Sequence, residues 1–309
     1  MQFSGGYLAQ QVLNGLIVGS FYSLLAVAYA LVHAITNRII LSFGDFMTFG
    51  AFYAIVAVLV GAGFGVFDAG ALVLALLVAV FGTAVLGIAA HRLAFAALIG
   101  ARSQALMIAS VGVGIIVSET LRIQSGGREQ WLPPVFQDRA ATADIGGFTV
   151  QITMMQIVVL ALALVLSAGL LIGLERSAAG RTWRAVSEDR RLAELCGVDT
   201  ARTIALTIAT SSAFAGVAGF IVAVYYGGVS FYMGLVLGLK ALFATVIGGS
   251  GTIGGAILGG FVLAGFETVW STFFSIGYRD VAVFAAVVLI FLLKPEGLLG
   301  VPLRSDHDR

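Results

Sequence analysis

Residues with chemically reactive side chains are scarce in this chain of 309 residues. It contains one cysteine, Cys196, and its 3 histidines are widely spaced: His33, His91 and His307. This set predicts neither a disulfide framework nor a metal cage. A phosphate-binding loop places lysine between glycine and Ser or Thr, but both lysines here, Lys240 and Lys294, follow leucine. The sequence therefore predicts no catalytic group, no metal site and no nucleotide site.

Another set of polar side chains interrupts long apolar runs. Asn14, Glu119, Lys240 and Glu267 lie inside such runs, and Asp45 lies at the edge of one. Charged groups at such positions are costly in a membrane, usually face the interior of a helix bundle and often mark a pathway. Two interpretations remain open. The charged groups line a pathway, or they pair with one another, for example Lys240 with Glu267 or with Glu119.

The apolar runs that hold these residues predict an all-α, polytopic transmembrane helix bundle. Hydrophobic residues make up 60% of the chain and charged residues only 11%, whereas about a quarter of the residues in soluble domains are charged. Because roughly 20 apolar residues cross a bilayer, we expect about nine spans, with eight to ten allowed and the second, seventh and ninth short. The predicted spans are Leu8–Leu31, Phe46–Val60, Ala69–Ala90, Gln104–Leu121, Gln156–Leu174, Ile204–Val224, Leu235–Ile247, Gly254–Phe274 and Val281–Leu293.

The distribution of basic residues predicts the orientation of these spans, because cytoplasmic loops are rich in Lys and Arg. If the polar loop 175–203 is cytoplasmic, the segments on its side hold 12 of the 17 Lys and Arg residues. This distribution predicts an outer amino terminus and an inner carboxyl terminus. The net charge of +1 gives no indication of a nucleic-acid partner.

Two connections between spans are long. Arg122–Met155 contains Pro133, Pro134 and several glycines, and it predicts an ordered external loop. Glu175–Thr203 is polar and favours helix, with Gly180 and Gly197 as its interruptions. This second loop predicts a charged helical hairpin, which is either a solvated loop or a docking surface for a cytoplasmic partner.

Glycines group in two ways. Pairs spaced by four, such as Gly15 with Gly19 and Gly234 with Gly238, predict close helix packing. A denser group predicts a broken helix or re-entrant element near 248–255, of the kind at which transporters often place substrate contacts. Its members are Gly248, Gly249, Gly251 and Gly254. The spacing matches a dinucleotide fingerprint by letter, but the flanking runs are apolar helices and not a βαβ unit, so we reject that interpretation.

Four segments carry a distinctive combination of motifs. The first span holds Gln11-Val-Leu-Asn14-Gly15-Leu-Ile-Val-Gly19-Ser20-Phe-Tyr22, and the polar loop holds Gly180-Arg181-Thr-Trp-Arg184-Ala-Val-Ser-Glu188-Asp189 with Ala193-Glu-Leu-Cys-Gly197. Gly238-Leu-Lys240-Ala241 then precedes Val246-Ile-Gly248-Gly249-Ser-Gly251-Thr-Ile-Gly254-Gly255, and the tail is Lys294-Pro295-Glu-Gly297-Leu-Leu-Gly300. In this order they resemble the type II importer-like permease subunit of the branched-chain amino acid ABC importer family, over nearly the whole chain.

The resemblance implies a transporter subunit and not an enzyme. Residues 1–309 would form one permease domain with a cytoplasmic coupling loop at about 175–203, in the bacterial inner membrane. It would pair with a second homologous permease, two cytoplasmic ATPase subunits that use ATP and Mg, and a periplasmic substrate-binding protein. This chain itself would bind no cofactor and no nucleic acid. The solute would be a branched-chain amino acid or a related small polar molecule.

The resemblance also implies roles for individual residues. The residues expected at the ATPase are Arg181, Arg184, Glu188, Asp189, Ala193 and Gly197. The residues expected along the translocation pathway are Asn14, Ser20, Tyr22, Asp45, Lys240 and Thr245.

Two departures from the family pattern bear on these expectations. The docking consensus Glu-Ala-Ala-x-x-x-Gly keeps Ala193 and Gly197, but Arg191 and Leu192 replace its first two residues. After the first span, Ile40–Asp45 stands where the family commonly has Asn-Phe-Ala-His-Gly-Glu, so the asparagine and the histidine are missing and the acidic residue remains as Asp45. Urea, amides and aromatic carboxylates therefore stay open as substrates.

Two other classes of function also stay open. An ion-coupled secondary transporter would use Glu119, Lys240 and Glu267 as coupling groups. A structural membrane protein would tolerate substitution of all three.

Overall fold

The computed structural model describes residues 5–65, 69–100, 103–132, 139–145, 148–249, 251–294 and 297–299. Parts of the predicted external loop, including Pro133 and Pro134, and the tail residues Pro295, Glu296 and Gly300 lie outside this range. The α-helices are α1 Gly5–Thr36, α2 Phe43–Gly63, α3 Ala69–Ala90, α4 Ser103–Gln124, α5 Met154–Arg176, α6 Ala178–Glu188, α7 Arg190–Leu195, α8 Thr200–Tyr226, α9 Met233–Gly248, α10 Ile253–Phe273 and α11 Arg279–Leu293.

The predicted polytopic helix bundle is confirmed. Among the described residues, 8 helices are long and apolar enough to cross a membrane, and α9 is a shorter apolar helix. The second predicted span is longer than expected, with 21 residues in α2, and the last gains a preceding 3₁₀ turn to give 18 residues. The seventh is short as predicted. Its 16 residues correspond to about 24 Å of helix, less than the roughly 30 Å of a hydrocarbon core.

Helix α1 forms the centre of the bundle. Its most apolar 18-residue window is 89% buried, and it packs on α10, α8, α9 and α5. Small residues allow this close approach, among them Gly19 of a predicted pair and Gly260, which the predicted pairs did not include. A Cβ added at Gly19 would collide with the ring of Phe261, and one added at Gly260 would lie 2.5 Å from the backbone of Ser23.

The packing around α8 repeats the packing around α1. Helix α1 packs most extensively on α10, and α8 packs most extensively on α3 and α2. The two central helices also contact each other, as do α2 and α9. Helices α1–α3 and α8–α10 therefore have equivalent neighbours. An odd number of spans precedes α8, so the second set is inverted relative to the first.

Two small antiparallel sheets lie at one end of the bundle, and the sequence did not predict them. Strand β1 (Gln130–Trp131) pairs with β4 (Gly228–Val229), and β2 (Arg139–Ile145) pairs with β3 (Phe148–Thr153). Gln10 of α1 bonds to the backbone of Gln151 in β3, with its Nε2 donating over 3.1 Å and its Oε1 accepting over 2.9 Å. The start of α1 thus lies beside the predicted external loop. We call this the outer side, and the side with α6 and α7 the inner side.

At the element predicted near 248–255, the structure has a turn between two helices that pack on each other. Helix α9 ends at Gly248 and α10 begins at Ile253, with Gly249 at a φ of 113° and the Thr252 hydroxyl accepting from Gly255 N–H. The C-terminal segment adds to this turn, since Leu298 N–H donates to Ile247 O and Leu299 N–H donates to Gly248 O. These bonds satisfy carbonyl groups that the end of α9 would otherwise leave free.

Candidate functional site

Four charged side chains meet where α9, α10 and α11 approach one another. Lys240 Nζ lies 3.1 Å from Glu267 Oε1 and 2.7 Å from Asp280 Oδ1. Arg279 Nε lies 3.0 Å from the same Glu267 oxygen and 3.6 Å from Asp280 Oδ1. Tyr22 of α1 donates its hydroxyl proton to Glu267 Oε2 over 3.0 Å. We call these five residues the charge cluster.

The charge cluster balances two positive and two negative side chains. One pair of its side chains is buried, since those of Lys240 and Glu267 are 2% and 7% exposed. The other pair is accessible, since the side chains of Arg279 and Asp280 are 36% and 49% exposed. Buried charges are tolerated when opposite charges and hydrogen bonds accompany them. The cluster is therefore neutral and one-sided, with one cation and one anion accessible.

The structure decides between the pairings that the sequence left open. Lys240 pairs with Glu267 and not with Glu119, which forms a separate ion pair of 2.7 Å with Arg122 on the exposed face of α4. Sequence reasoning missed Arg279 and Asp280, because charges at the end of an apolar run are ordinary at a membrane surface. The available signal was an adjacent Arg and Asp directly before an apolar helix.

Asp45 occupies a different place, in the first turn of α2. Its carboxylate fits between Gly114 of α4 and Gly234 of α9, because a Cβ added at Gly114 would collide with Oδ2 and one at Gly234 would lie 2.9 Å from Oδ1. Asp45 is partly exposed, and it forms no ion pair with any residue that the structure describes. The glycines of two neighbouring helices thus provide the room for an unpaired carboxyl group.

The other predicted pathway residues lie apart from the charge cluster. The buried Ser20 donates to Ile17 O over 2.6 Å, and the buried Thr245 donates to Ala26 O and Ala241 O, each over 3.0 Å. These hydroxyls satisfy backbone carbonyls between and within helices. Asn14 is partly exposed near the outer end of α1 and accepts from Gln10 over 3.5 Å. Of the predicted pathway set, only Tyr22 and Lys240 come together.

The predicted polar loop forms two short helices on the inner side. Ser177 caps α6 by accepting from Gly180 N–H over 2.9 Å, and Asp189 caps α7 by accepting from Arg191 N–H and Leu192 N–H over 2.8 and 3.0 Å. Gly197, at a φ of 82°, follows the end of α7. Side-chain oxygens before a helix satisfy its free N–H groups, which explains this local fold.

The residues predicted at the ATPase have three kinds of surroundings. Arg181 and Glu188 are exposed on α6, Asp189 and Gly197 are exposed at helix ends, and Ala193 is buried. The guanidinium of Arg184 donates to Leu174 O, and its Nη2 donates to Glu175 O over 3.3 Å, so it joins α6 to the last turn of α5.

Sequence reasoning missed two apolar side chains in this region. Leu192 and Leu195 of α7 are 60% and 84% exposed. Nearby, hydrogen bonds from the Thr200 hydroxyl and Arg190 lower the pKa of Glu194. The bond from Thr200, of 2.6 Å, holds α7 to the start of α8.

Comparison with known proteins agrees with this architecture. Residues 11–293 match the family described as branched-chain amino acid transport system, permease component. The high-affinity branched-chain amino acid transport system permease protein LivH of Escherichia coli K12 is 33% identical over 300 residues, covering 96% of each chain. The corresponding permease protein BraD of Pseudomonas aeruginosa is 31% identical over 294 residues, covering 95% of this chain and 96% of the relative. The autoinducer 2 import permease LsrC of Klebsiella pneumoniae is 35% identical over a shorter stretch of 156 residues.

The family match supports the predicted class of protein and its location. It gives no support to an ion-coupled secondary transporter, and Glu119 lies apart from the Lys240–Glu267 pair that such a mechanism would use. The predicted location as a multi-pass inner-membrane protein is confirmed by the family and by the 8 apolar helices. The chain belongs to the permease component family of the branched-chain amino acid transport systems.

Proposed function

We propose that this chain is a transmembrane permease subunit of an ATP-driven importer that carries branched-chain amino acids. The observation that carries this proposal is similarity over 96% of the chain to a relative named as a high-affinity branched-chain amino acid transport permease. The helix bundle provides the membrane domain that such a subunit needs.

We infer four further subunits around it. Two cytoplasmic ATPases would use ATP and Mg, a second homologous permease would complete the membrane domain, and a periplasmic binding protein would deliver the solute. The exposed surface of α6 and α7 supports an ATPase contact, because it combines the apolar Leu192 and Leu195 with the charged Arg181 and Glu188. Interfaces of this kind have an apolar centre and a polar rim.

The contacts of α6 also support a mechanism. Closure of the ATPases on ATP would move α6, and Arg184 would transmit that movement to the end of α5 through its bonds to Leu174 O and Glu175 O. Helix α5 packs on α1, so the movement would reach the centre of the bundle. The spans would then tilt between outward-open and inward-open states without any ion-coupling chemistry in this chain.

Purification of the tagged chain from membranes in mild detergent, followed by mass spectrometry, tests the assembly. We expect two ATPases and a second permease to be recovered with it. Reconstitution of that complex with its binding protein should then give ATP-dependent uptake of leucine, isoleucine or valine. A homo-oligomer without ATPase, reproduced after crosslinking in membranes, would overturn the proposal. Uptake of urea, an amide or an aromatic carboxylate in place of these amino acids would overturn only its substrate.

A further inference from the structure

Arg279 and Asp280, the exposed pair of the charge cluster, lie below the outer membrane surface. Helix α11 has 15 residues and follows a 3₁₀ turn, Ile276–Tyr278, with which it forms an 18-residue apolar span; at about 28 Å this span is close to the roughly 30 Å of a hydrocarbon core. Its last residues lie at the inner side, because the segment that follows bonds to the end of α9 at Ile247 and Gly248. The first residues of α11, Arg279 and Asp280, therefore lie inside the membrane span.

Lipid cannot solvate these two groups. Charged side chains at membrane depth face a water-filled cavity or another protein, because hydrocarbon offers no hydrogen bonds. Here the side chains of Arg279 and Asp280 are 36% and 49% exposed. The Nε of Arg279 is buried, so the exposed part of that side chain lies elsewhere on it. The face of α11 that carries them is thus available to a polar ligand.

The two exposed groups match one class of ligand. An α-amino acid carries a carboxylate and an ammonium on adjacent carbon atoms, and Arg279 and Asp280 present a guanidinium and a carboxylate side by side. Guanidinium binds carboxylate through parallel hydrogen bonds, and a carboxylate accepts from an ammonium. Lys240 and Glu267 beneath them keep the cluster neutral, so a neutral zwitterion adds no net charge.

An apolar side chain would also find a surface here. Tyr226 is 51% exposed, and its ring centroid lies 6.2 Å from that of Phe21, which in turn lies 4.5 Å from that of Tyr22. Tyr278, directly before Arg279, is 67% exposed. Exposed aromatic rings near charged groups offer apolar contact area to the side chain of a small ligand.

We propose that Arg279 and Asp280 form a binding site for the zwitterionic head group of an α-amino acid, with Arg279 receiving its carboxylate and Asp280 its ammonium. This inference rests on the proposed function and names where the solute contacts the permease. Lys240 and Glu267 act as positioning residues, because Lys240 contacts Asp280 and Glu267 contacts Arg279. Tyr22 supports them through its hydrogen bond to Glu267.

A matrix of ligands and variants tests the proposal. The ligands are leucine, 4-methylpentanoate, which lacks the ammonium, and 3-methylbutylamine, which lacks the carboxylate. Binding is measured by saturation-transfer NMR on the permease–ATPase complex in nanodiscs, without binding protein or ATP. Loss of one charged contact weakens binding about tenfold or more. We therefore expect the unsubstituted protein to bind leucine at least about tenfold more tightly than either analogue.

Substitution of Asp280 and of Arg279 should each remove one contact of leucine, to its ammonium and to its carboxylate respectively. Asp280→Asn should lower leucine binding to the level of 4-methylpentanoate and leave that analogue unweakened. Arg279→Gln should lower leucine binding to the level of 3-methylbutylamine. Glu119→Gln and Arg122→Gln, at the exposed pair on α4, are the matched controls and should leave the affinity for all three ligands unchanged.

Two results would overturn the site. The first is an equal loss of affinity for all three ligands in both variants, which would mean that Arg279 and Asp280 have a structural role only. The second is a lack of leucine binding to the unsubstituted complex, as expected if a second permease covers this face. Uptake by the complete importer with its binding protein is measured in parallel. If that uptake is intact, the site alone is wrong; if uptake of branched-chain amino acids is absent, the proposed function fails.

Discussion

At the scale of single residues, Lys240 depends most strongly on its neighbours. Its ammonium is buried and has two carboxylate partners, Glu267 and Asp280. Removing one partner of a buried ion pair leaves an uncompensated charge, which typically costs about 3–5 kcal/mol. The stability of this part of the bundle therefore depends on the balance of charge in the cluster more than on any one contact.

We expect Lys240→Met to destabilise the protein by roughly 3 kcal/mol or more, because two carboxylates then face one guanidinium. The double variant Lys240→Met with Glu267→Gln restores a neutral cluster and should recover part of the loss. Thermal unfolding in detergent, followed by size-exclusion fluorescence, measures both. Glu119→Gln, at an exposed pair, should change stability by less than about 1 kcal/mol. Simple addition of the two single losses in the double variant would show that charge balance does not govern this site.

Arg184 provides a second test at this scale. Its guanidinium joins α6 to Leu174 O and Glu175 O, so Arg184→Gln should lower ATP-dependent uptake several-fold while the ATPases still bind. Arg190→Gln, whose partner Glu194 is an exposed residue of the same loop, is the matched control and should retain uptake. Equal uptake by both variants would contradict the proposed link between α6 and α5.

The sequence reached only part of this chemistry. Lys240 and Glu267 could be named as candidates for pairing, because each lies alone within an apolar run, where a charge needs a partner. The choice between Glu267 and Glu119 as the partner of Lys240 needed the structure, which places Glu119 beside Arg122. Arg279 and Asp280 could not be recognised, because the apolar run was predicted to begin at Val281 and the structure extends the span outward through the 3₁₀ turn Ile276–Tyr278. Asp45 was recognised as a polar group at a span edge, but the glycines that surround it come from α4 and α9, which are distant in sequence.

At the scale of helices, glycine determines how closely neighbours approach. Gly114 of α4 faces the carboxylate of Asp45, whereas a Cβ added at Gly112, on the same helix, would meet nothing within 4 Å. The two positions therefore differ in packing and not in helix propensity.

The strands could not be predicted from the sequence as the helices were. Strands β1 and β4 have two residues each, which is too short for a recognisable pattern.

We expect Gly114→Leu to push α4 away from α2 and to cost about 1–3 kcal/mol, the usual range for overpacking. Gly112→Leu should have little effect or a small stabilising one, because leucine favours helix more than glycine does. Thermal unfolding of the two variants in detergent compares them directly. An equal loss in both would mean that the room beside Asp45 is not needed for packing.

At the scale of the whole molecule, the predicted orientation has consequences for labelling. Cys196 is the single cysteine and is exposed beside α7, on the side that the basic residues predict to be cytoplasmic. An impermeant maleimide should therefore leave Cys196 unlabelled in intact cells and label it after permeabilisation. Arg128 is an exposed residue of the outer loop. The variant Arg128→Cys in a Cys196→Ser background should therefore be labelled in intact cells, without permeabilisation. Labelling of Cys196 in intact cells would reverse the orientation.

The short length of α9 also has a consequence for how the chain enters the membrane during synthesis. A lysine at the centre of a helix opposes insertion by about 2.5–3.5 kcal/mol, and 16 residues supply little apolar surface against that cost. The carboxylates that neutralise Lys240 are on α10 and α11, which leave the ribosome later. Helix α9 is therefore expected to remain in the translocon until α10 and α11 have been synthesised, so that the last three helices enter the bilayer together.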